Sequence, residues 1–341
     1  MTAFSIGCDP ELFLIDRTGK PLSAYGVVKG TKKEPFKVER GAYQVDGMAL
    51  EFNTDPVPAN GAFDQFNGNI TAVLKRLKED VKAAGYKTAK FNISPVQDFG
   101  EEIMAAQPDE AKELGCDPDW CAYTKEPNPR PDGDVTFRTA SGHIHVGWGA
   151  DIPVDHPDHI EICSDFVKCL DATVGMFMTI IDTDPRRREL YGKAGAFRPK
   201  PYGVEYRTPS NLWLTHVARR RIIYKLVNVA IKMNMSSSQY YFIRGSVYDN
   251  TGYYNHSANP NYLVEVGGDT EKGFELVRNT INNGDVTTAR KILFNAINSA
   301  GYEFYPVWRM VMNEIKRMEG LVRPHDHIVA EATASKEKKV A

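Results

Sequence analysis

Four short stretches of the chain alternate apolar residues with charged or ligating ones: SIGCDPELFL (5–14), GMALEFN (47–53), SGHIHVGW (141–148) and YGVEYRTP (202–209). Successive side chains on a strand point to opposite sides of a sheet, so residues i and i+2 share a face. Asp9 and Glu11 therefore share a face with Ser5 and Gly7, opposite Ile6, Cys8, Leu12 and Leu14. Pro10 has no N–H to give to a ladder, so an edge or a bulge is expected there. Glu51 and Asn53 oppose Met48, Leu50 and Phe52; His143 and His145 oppose Ile144 and Val146; Glu205 and Arg207 oppose Val204 and Tyr206. Four strands that each set a packed side against a polar side predict an α+β fold. An antiparallel sheet would have helices behind it and a polar front.

The helices are legible by a different period. Phe63, Phe66, Ile70, Val73, Leu77 and Val81 recur at three- and four-residue spacing over 61–84, closed by Gly85. The same spacing predicts helices over 158–182 and 213–234, a helical pair over 271–299 and another helix over 304–319. Strands are expected at 3–8, 10–15, 43–54, 88–94, 134–139, 142–148 and 202–208. The acidic, proline-bearing stretch 97–133 and the cationic stretch 184–201 are expected as loops, and loops of such length usually serve function. At 341 residues, length alone suggests about two domains. No composition break is sharp enough for an interdomain linker; the boundary falls best near 235, so we expect a catalytic domain over 1–234, a helical, aromatic-rich extension of the same fold over 235–329 and a flexible tail over 330–341.

Composition narrows the function. With 42 Lys+Arg against 44 Asp+Glu the net charge is −2, and nothing favours nucleic acid as a partner. The longest uncharged apolar stretch, Ala172 to Ile181, is far below the roughly 20 residues of a membrane span. The start, MTAFSIGCDPELF, has acidic residues where a signal peptide needs a basic flank and an apolar run, so a cytoplasmic protein is expected. Five cysteines at irregular spacing make no disulfide framework and no zinc pair, although Cys116 and Cys121 lie close together in one loop.

Carboxylates crowded on one face with one or two histidines suit Mg²⁺ or Mn²⁺ better than a thiolate-seeking metal. Gly7, Asp9 and Glu11, then Leu50–Glu51, then SGHIH at 141–145, then VEYR at 204–207, in that order, resemble the glutamine synthetase/glutamate–cysteine ligase superfamily. Within it, the likeness is to phage-encoded carboxylate–amine ligases, and it covers roughly residues 1–215. The resemblance implies a curved antiparallel sheet with helices on its convex face, holding two or three Mg²⁺ ions and ATP. It implies Asp9, Glu11, Glu51, His143 and Glu205 as metal ligands, and His145 and Arg207 as contacts to ATP phosphates. Asp9 stands where the family has Glu, and SGHIH is one residue tighter than SGxH, so which imidazole ligates the metal is open.

The implied activity is ATP-dependent joining of a carboxylate to an amine, on a small-molecule or peptide substrate, through an acyl phosphate. In the loop DPRRRELYGKAGAFRPKPYG, Arg187, Lys193 and Arg198 are candidate phosphate contacts, with Gly192 and Gly195 letting backbone approach; Arg207, Arg198 and Lys193 are the candidate catalytic cations. The loop is not a Walker A sequence. Segment 97–133, with Trp120 and Tyr123, is a candidate lid, and the aromatic run 239–262 a candidate substrate groove. Two other readings stand beside the ligase: a metal-dependent hydrolase, and a non-catalytic phage structural or binding protein that retains the fold. The sequence leaves the oligomeric state open.

Overall fold

The structure is a computed structural model, and it describes residues 4–112, 119–129, 135–148, 154–235 and 270–321. Its strands are β1 Ser5–Ile15, β2 Pro21–Leu22, β3 Phe36–Val38, β4 Gly41–Asp46, β5 Ala49–Thr54, β6 Val57–Pro58 and β7 Lys90–Asn92. They continue with β8 Val96–Asp98, β9 Trp120–Cys121, β10 Phe137–Thr139, β11 Gly142–Gly147, β12 Ala196–Lys200 and β13 Gly203–Tyr206. Among the described residues one sheet runs in the order β3-β4-β5-β1-β11-β13-β12-β9, with β2, β6 and β7 also on β1, and every pairing is antiparallel. The helices are α1 Phe63–Ala83, α2 Gly100–Ala105, α3 Asp109–Lys112, α4 His159–Leu170, α5 Met176–Ile181 and α6 Arg186–Leu190. After them come α7 Val217–Met235, α8 Thr270–Asn283, α9 Val286–Ser299 and α10 Tyr305–Met318. The α+β class with a large antiparallel sheet is thus as expected.

One face of the sheet is core. Ile6, Cys8, Leu12, Leu14, Leu50, Phe52, Ile144, Val146, Val204 and Tyr206 are buried there together with the apolar faces of α1, α4, α5 and α7. On α1, Phe66, Ile70, Val73 and Leu77 are each fully buried, about 1.5–3 kcal/mol of hydrophobic transfer apiece. The opposite face carries the polar residues, flanked by a small apolar cluster in which Phe13, Met48 and Ala49 meet Phe99 and Met104 beside α2. Met48 therefore belongs to that flank and not with Leu50 and Phe52, because it sits in the turn where strand alternation lapses.

Four expectations need correction. Strands 3–8 and 10–15 are one strand, and alternation survives Pro10, which pairs with Gly142 where the β11 ladder ends; the β5 ladder begins at Glu11. A proline at such a hand-off is tolerated without a bulge. The run 43–54 is a hairpin, β4 and β5, turned at Gly47 with φ 56°. The stretch 184–201 holds α6 and β12, and 97–133 holds β8, α2, α3 and β9. The helix over 158–182 is interrupted by a π turn, Asp171–Gly175, where its buried face presents a carboxylate.

Helices α8, α9 and α10 share the core with α5 and α7. The aromatic run 239–262, Cys116 and the tail lie outside the described residues. Among the described residues, no helix is long and apolar enough to cross a membrane.

Candidate active site

The register of three neighbouring strands assembles the site. Asp9 of β1 stands opposite His143 of β11, and Gly7 opposite His145. His145 stands in turn opposite Glu205 of β13, and Glu205 opposite Arg198 of β12. Because every second residue shares a face, Asp9, His143, His145, Glu205, Arg198 and Lys200 all project to the same side. His145 Nε2 is 3.0 Å from Asp9 Oδ2, and His143 Nδ1 is 3.3 Å from Asp9 Oδ1 and 3.6 Å from Glu205 Oε1. Asp9, His145 and Glu205 each offer one ligand atom within 4.8 Å of the others.

Glu205 is 1 % exposed and carries three cations: Lys200 Nζ at 2.6 Å, Arg198 Nη1 at 3.3 Å, and the Arg207 guanidinium. Arg207 Nε donates to Asp119 Oδ2 at 3.2 Å, so its plane is clamped between two carboxylates. Asp119 is steadied by Asn128 Nδ2 at 2.9 Å.

Burial and the Asp9 charge would raise the Glu205 pKa, but Arg207 and the two imidazoles outweigh them and hold it below the usual range. Burial likewise opposes the charge on Asp9, and His145 and His143 overcome it. His143 is pushed down by burial and by Arg207, whereas His145, also buried, is drawn up by Asp9 and Glu205.

Two residues further along β1, roughly 7 Å away, lies a second carboxylate pair. Glu11 stands opposite Glu51 in the β1–β5 ladder. Glu11 Oε2 accepts from the Ser141 N–H at 2.7 Å, and Gln44 Nε2 donates to Glu51 Oε2 at 2.9 Å. Burial, then the Asp46 charge, pushes the Glu11 pKa up to about 7 despite that N–H and the Arg207 and Arg187 charges. The face thus has a cation-rich pole at Glu205 and an acidic pole at Glu11 and Glu51.

Sequence-predicted residues divide accordingly. Asp9, His143, His145, Glu205, Arg198 and Arg207 come together, with Glu11 and Glu51 beside them. Arg187 does not join them: it is 2 % exposed, and its guanidinium donates to the carbonyls of Thr208 (2.7 Å), Pro209 (2.9 Å) and Arg207 (3.3 Å) and to Ser141 Oγ (3.0 Å). It braces the strand end that carries Arg207. Lys193 is exposed, and its carbonyl, not its amine, is engaged, by Thr208 Oγ1 at 3.0 Å. The two loop glycines make room for protein. A Cβ on Gly192 would lie 1.7 Å from Arg187 Nη1, and one on Gly195 2.6 Å from the Tyr123 ring.

Sequence reasoning missed Lys200, Asp119 and Tyr202. Lys200 was detectable, since AFRPK puts Arg198 and Lys200 on one face of a strand. Nothing in sequence spacing could join Asp119 to Arg207. Tyr202, in the β12–β13 turn, places its hydroxyl 2.5 Å from His145 Nδ1.

The donor set fits a hard divalent cation. Asp9 Oδ1, His143 Nδ1 and His145 Nε2 are buried without a hydrogen bond of proper angle, although all three crowd together. Orphaned polar atoms of that kind are costly unless something satisfies them. A set of oxygens with one or two imidazoles is the chemistry of Mg²⁺ or Mn²⁺.

Residues 136–281 match the family described as phage phiEco32-like COOH.NH2 ligase-type 2. The matched segment contains His143, His145, Arg198, Glu205 and Arg207, while Asp9, Glu11 and Glu51 precede it. The sequence has no match among curated proteins. Among solved structures, a cryo-EM structure of Plasmodium falciparum glutamine synthetase is similar at a TM-score of 0.34 and 11% identity, over 95% of this chain and 74% of that one.

Proposed function

We propose that the chain is an ATP- and Mg²⁺-dependent carboxylate–amine ligase on a glutamine-synthetase-like sheet, with its helices on the convex side. The carrying observation is the set of cations at the Glu205 pole, Arg198, Lys200 and Arg207, beside orphaned ligand atoms on Asp9, His143 and His145. The ligase family matched over 136–281 supports the same reading.

Asp9, His145 and Glu205 would hold one Mg²⁺, with Glu11, Glu51 and His143 as further ligands on the same face. Bound there, the metal supplies charge neutralisation at phosphate oxygens. The residues of the chain do the rest. Arg207, its plane fixed by Glu205 and Asp119, holds a guanidinium ready for the phosphoryl group as it passes from ATP to a substrate carboxylate. Arg198 and Lys200 draw the triphosphate to this pole. The carboxylate oxygen forms a bond to the terminal phosphorus as the bond to ADP breaks. An amine then adds at the acyl carbon, phosphate leaves, and the amine gives up a proton to leave an amide. Asp119 contacts Arg207, and the segment it belongs to would help to keep water from the acyl phosphate.

The deciding measurement is ADP release with Mg²⁺ and ATP, across pooled carboxylate and amine substrates, for the wild type and Glu205→Gln. ADP formation that needs both substrates and falls at least about 100-fold in the variant is the expected result. ADP formed at the same rate with neither substrate would point to a hydrolase. Absence of both turnover and ATP-induced thermal stabilisation would favour a metal-dependent hydrolase of another substrate or a scaffold protein.

A further inference from the structure

Tyr202 opens the YGVEYRTP stretch as a residue with no assigned part, yet its hydroxyl meets the outer nitrogen of an imidazole in the site. Its hydroxyl is 2.5 Å from His145 Nδ1, and the two rings are tilted with centroids 6.1 Å apart. Its own carbonyl accepts the Trp148 N–H at 2.9 Å, which pins the turn against the end of β11. A neutral imidazole has one N–H, and the partner of one nitrogen decides what the other presents. Were the tyrosine the donor, His145 would carry its proton on Nε2 and point it at Asp9. Nε2 does lie 3.0 Å from Asp9 Oδ2, but without the geometry of a hydrogen bond. A lone pair sharing a cation with Asp9 and Glu205 suits that placement better, and those three residues are the ones whose ligand atoms converge.

We infer that Tyr202 is a positioning residue: its oxygen accepts the Nδ1 proton of His145 and so presents the Nε2 lone pair to a divalent cation shared with Asp9 and Glu205. This rests on the metal reading above and deepens it. Of the two imidazoles, His145 is the one whose outer nitrogen meets a hydroxyl while its inner nitrogen turns to Asp9 and Glu205; His143 stands beside it with Nδ1 toward the same two carboxylates.

The test uses the full chain and Mn²⁺ alone, followed by electron paramagnetic resonance, with ¹⁵N spectra of the histidine rings. Tyr202→Phe keeps the ring at a half-exposed turn and removes only the hydroxyl. The expected result is a Mn²⁺ Kd weakened roughly 10- to 100-fold, with an unchanged metal-free melting temperature and a smaller Nδ1–H population on His145. His145→Asn should lose more affinity than His143→Asn. Equal Mn²⁺ affinity in wild type and Tyr202→Phe would overturn the inference while leaving the metal site standing. So would a wild-type His145 protonated at Nε2. A wild type that binds no Mn²⁺ would overturn the metal reading and the inference together.

Discussion

His145 and Glu205 stand directly opposite each other in the β11–β13 ladder, and Asp9 reaches the same imidazole from the strand on the other side. Three adjacent strands thus deliver one ligand atom each to a single point. Metal bound to the native site alone should stabilise the fold by RT ln(1 + [L]/Kd), about 2.7 kcal/mol at a hundredfold excess over Kd. We expect Mg²⁺ to raise the melting temperature of the wild type and chelator to reverse it. Asp9→Asn should abolish the shift. A variant that gained the full shift would show that the cation binds elsewhere.

Arg207 differs from the other cations at Glu205 because two carboxylates fix its orientation. Lysine could keep the charge but lacks the rigid planar fork that meets Glu205 and Asp119 in one fixed orientation. Arg207→Ala should lower ADP formation by roughly 10²–10³-fold, and Arg207→Lys should recover only part of that loss. If Arg207→Lys were as active as the wild type in steady-state kinetics, the clamped plane would be irrelevant to turnover.

The convergence of Asp9, His143, His145 and Glu205 was legible because strand alternation is a local rule that a sequence displays directly. Lys200 obeys the same rule but was hidden by Pro199 and by reading 184–201 as loop. Arg187 was read as a phosphate contact from the cationic run around it; the carbonyls of residues 207–209 that engage its guanidinium are partners that sequence neighbours do not reveal. Asp119 meets Arg207 only through tertiary folding. Pro10 misled because its tolerance depends on which ladder uses that position, a property of the assembled sheet.

Gly192 gives the Arg187 brace a direct stability test. Its φ is 71°, and an added Cβ would lie 1.7 Å from Arg187 Nη1 and 2.9 Å from the Thr208 carbonyl. Gly85 has φ 102° but nothing within 4 Å of such a Cβ, so it isolates the backbone cost. In urea titrations Gly85→Ala should lose about 1 kcal/mol, and Gly192→Ala about 2–4 kcal/mol as overpacking is added. Equal losses would mean that the Arg187 guanidinium moves aside freely.

Asp171 offers a pH test away from the metal ligands. It lies in the π turn, fully buried, accepting from the Tyr206 hydroxyl at 2.6 Å and the Tyr123 hydroxyl at 2.9 Å. Burial pushes its pKa up to about 7 from 3.8, although both hydroxyls favour the charged form. Between those values the folded chain binds a proton that the unfolded chain has released. The sign follows: this group favours folding less as pH rises from about 4 to about 7, and its penalty is fully present above that range. At ~1.4 kcal/mol per pKa unit the effect is on the order of a few kcal/mol. Asp171→Asn keeps an acceptor for Tyr206 and removes the ionisation. Glu11 titrates in the same window in both proteins, so the difference between them is the informative quantity. Relative to the wild type, the variant should gain stability at pH 8 compared with pH 5, read as the change in urea midpoint. Parallel pH profiles would show that Asp171 is already charged at pH 5, with its tyrosine partners outweighing its burial.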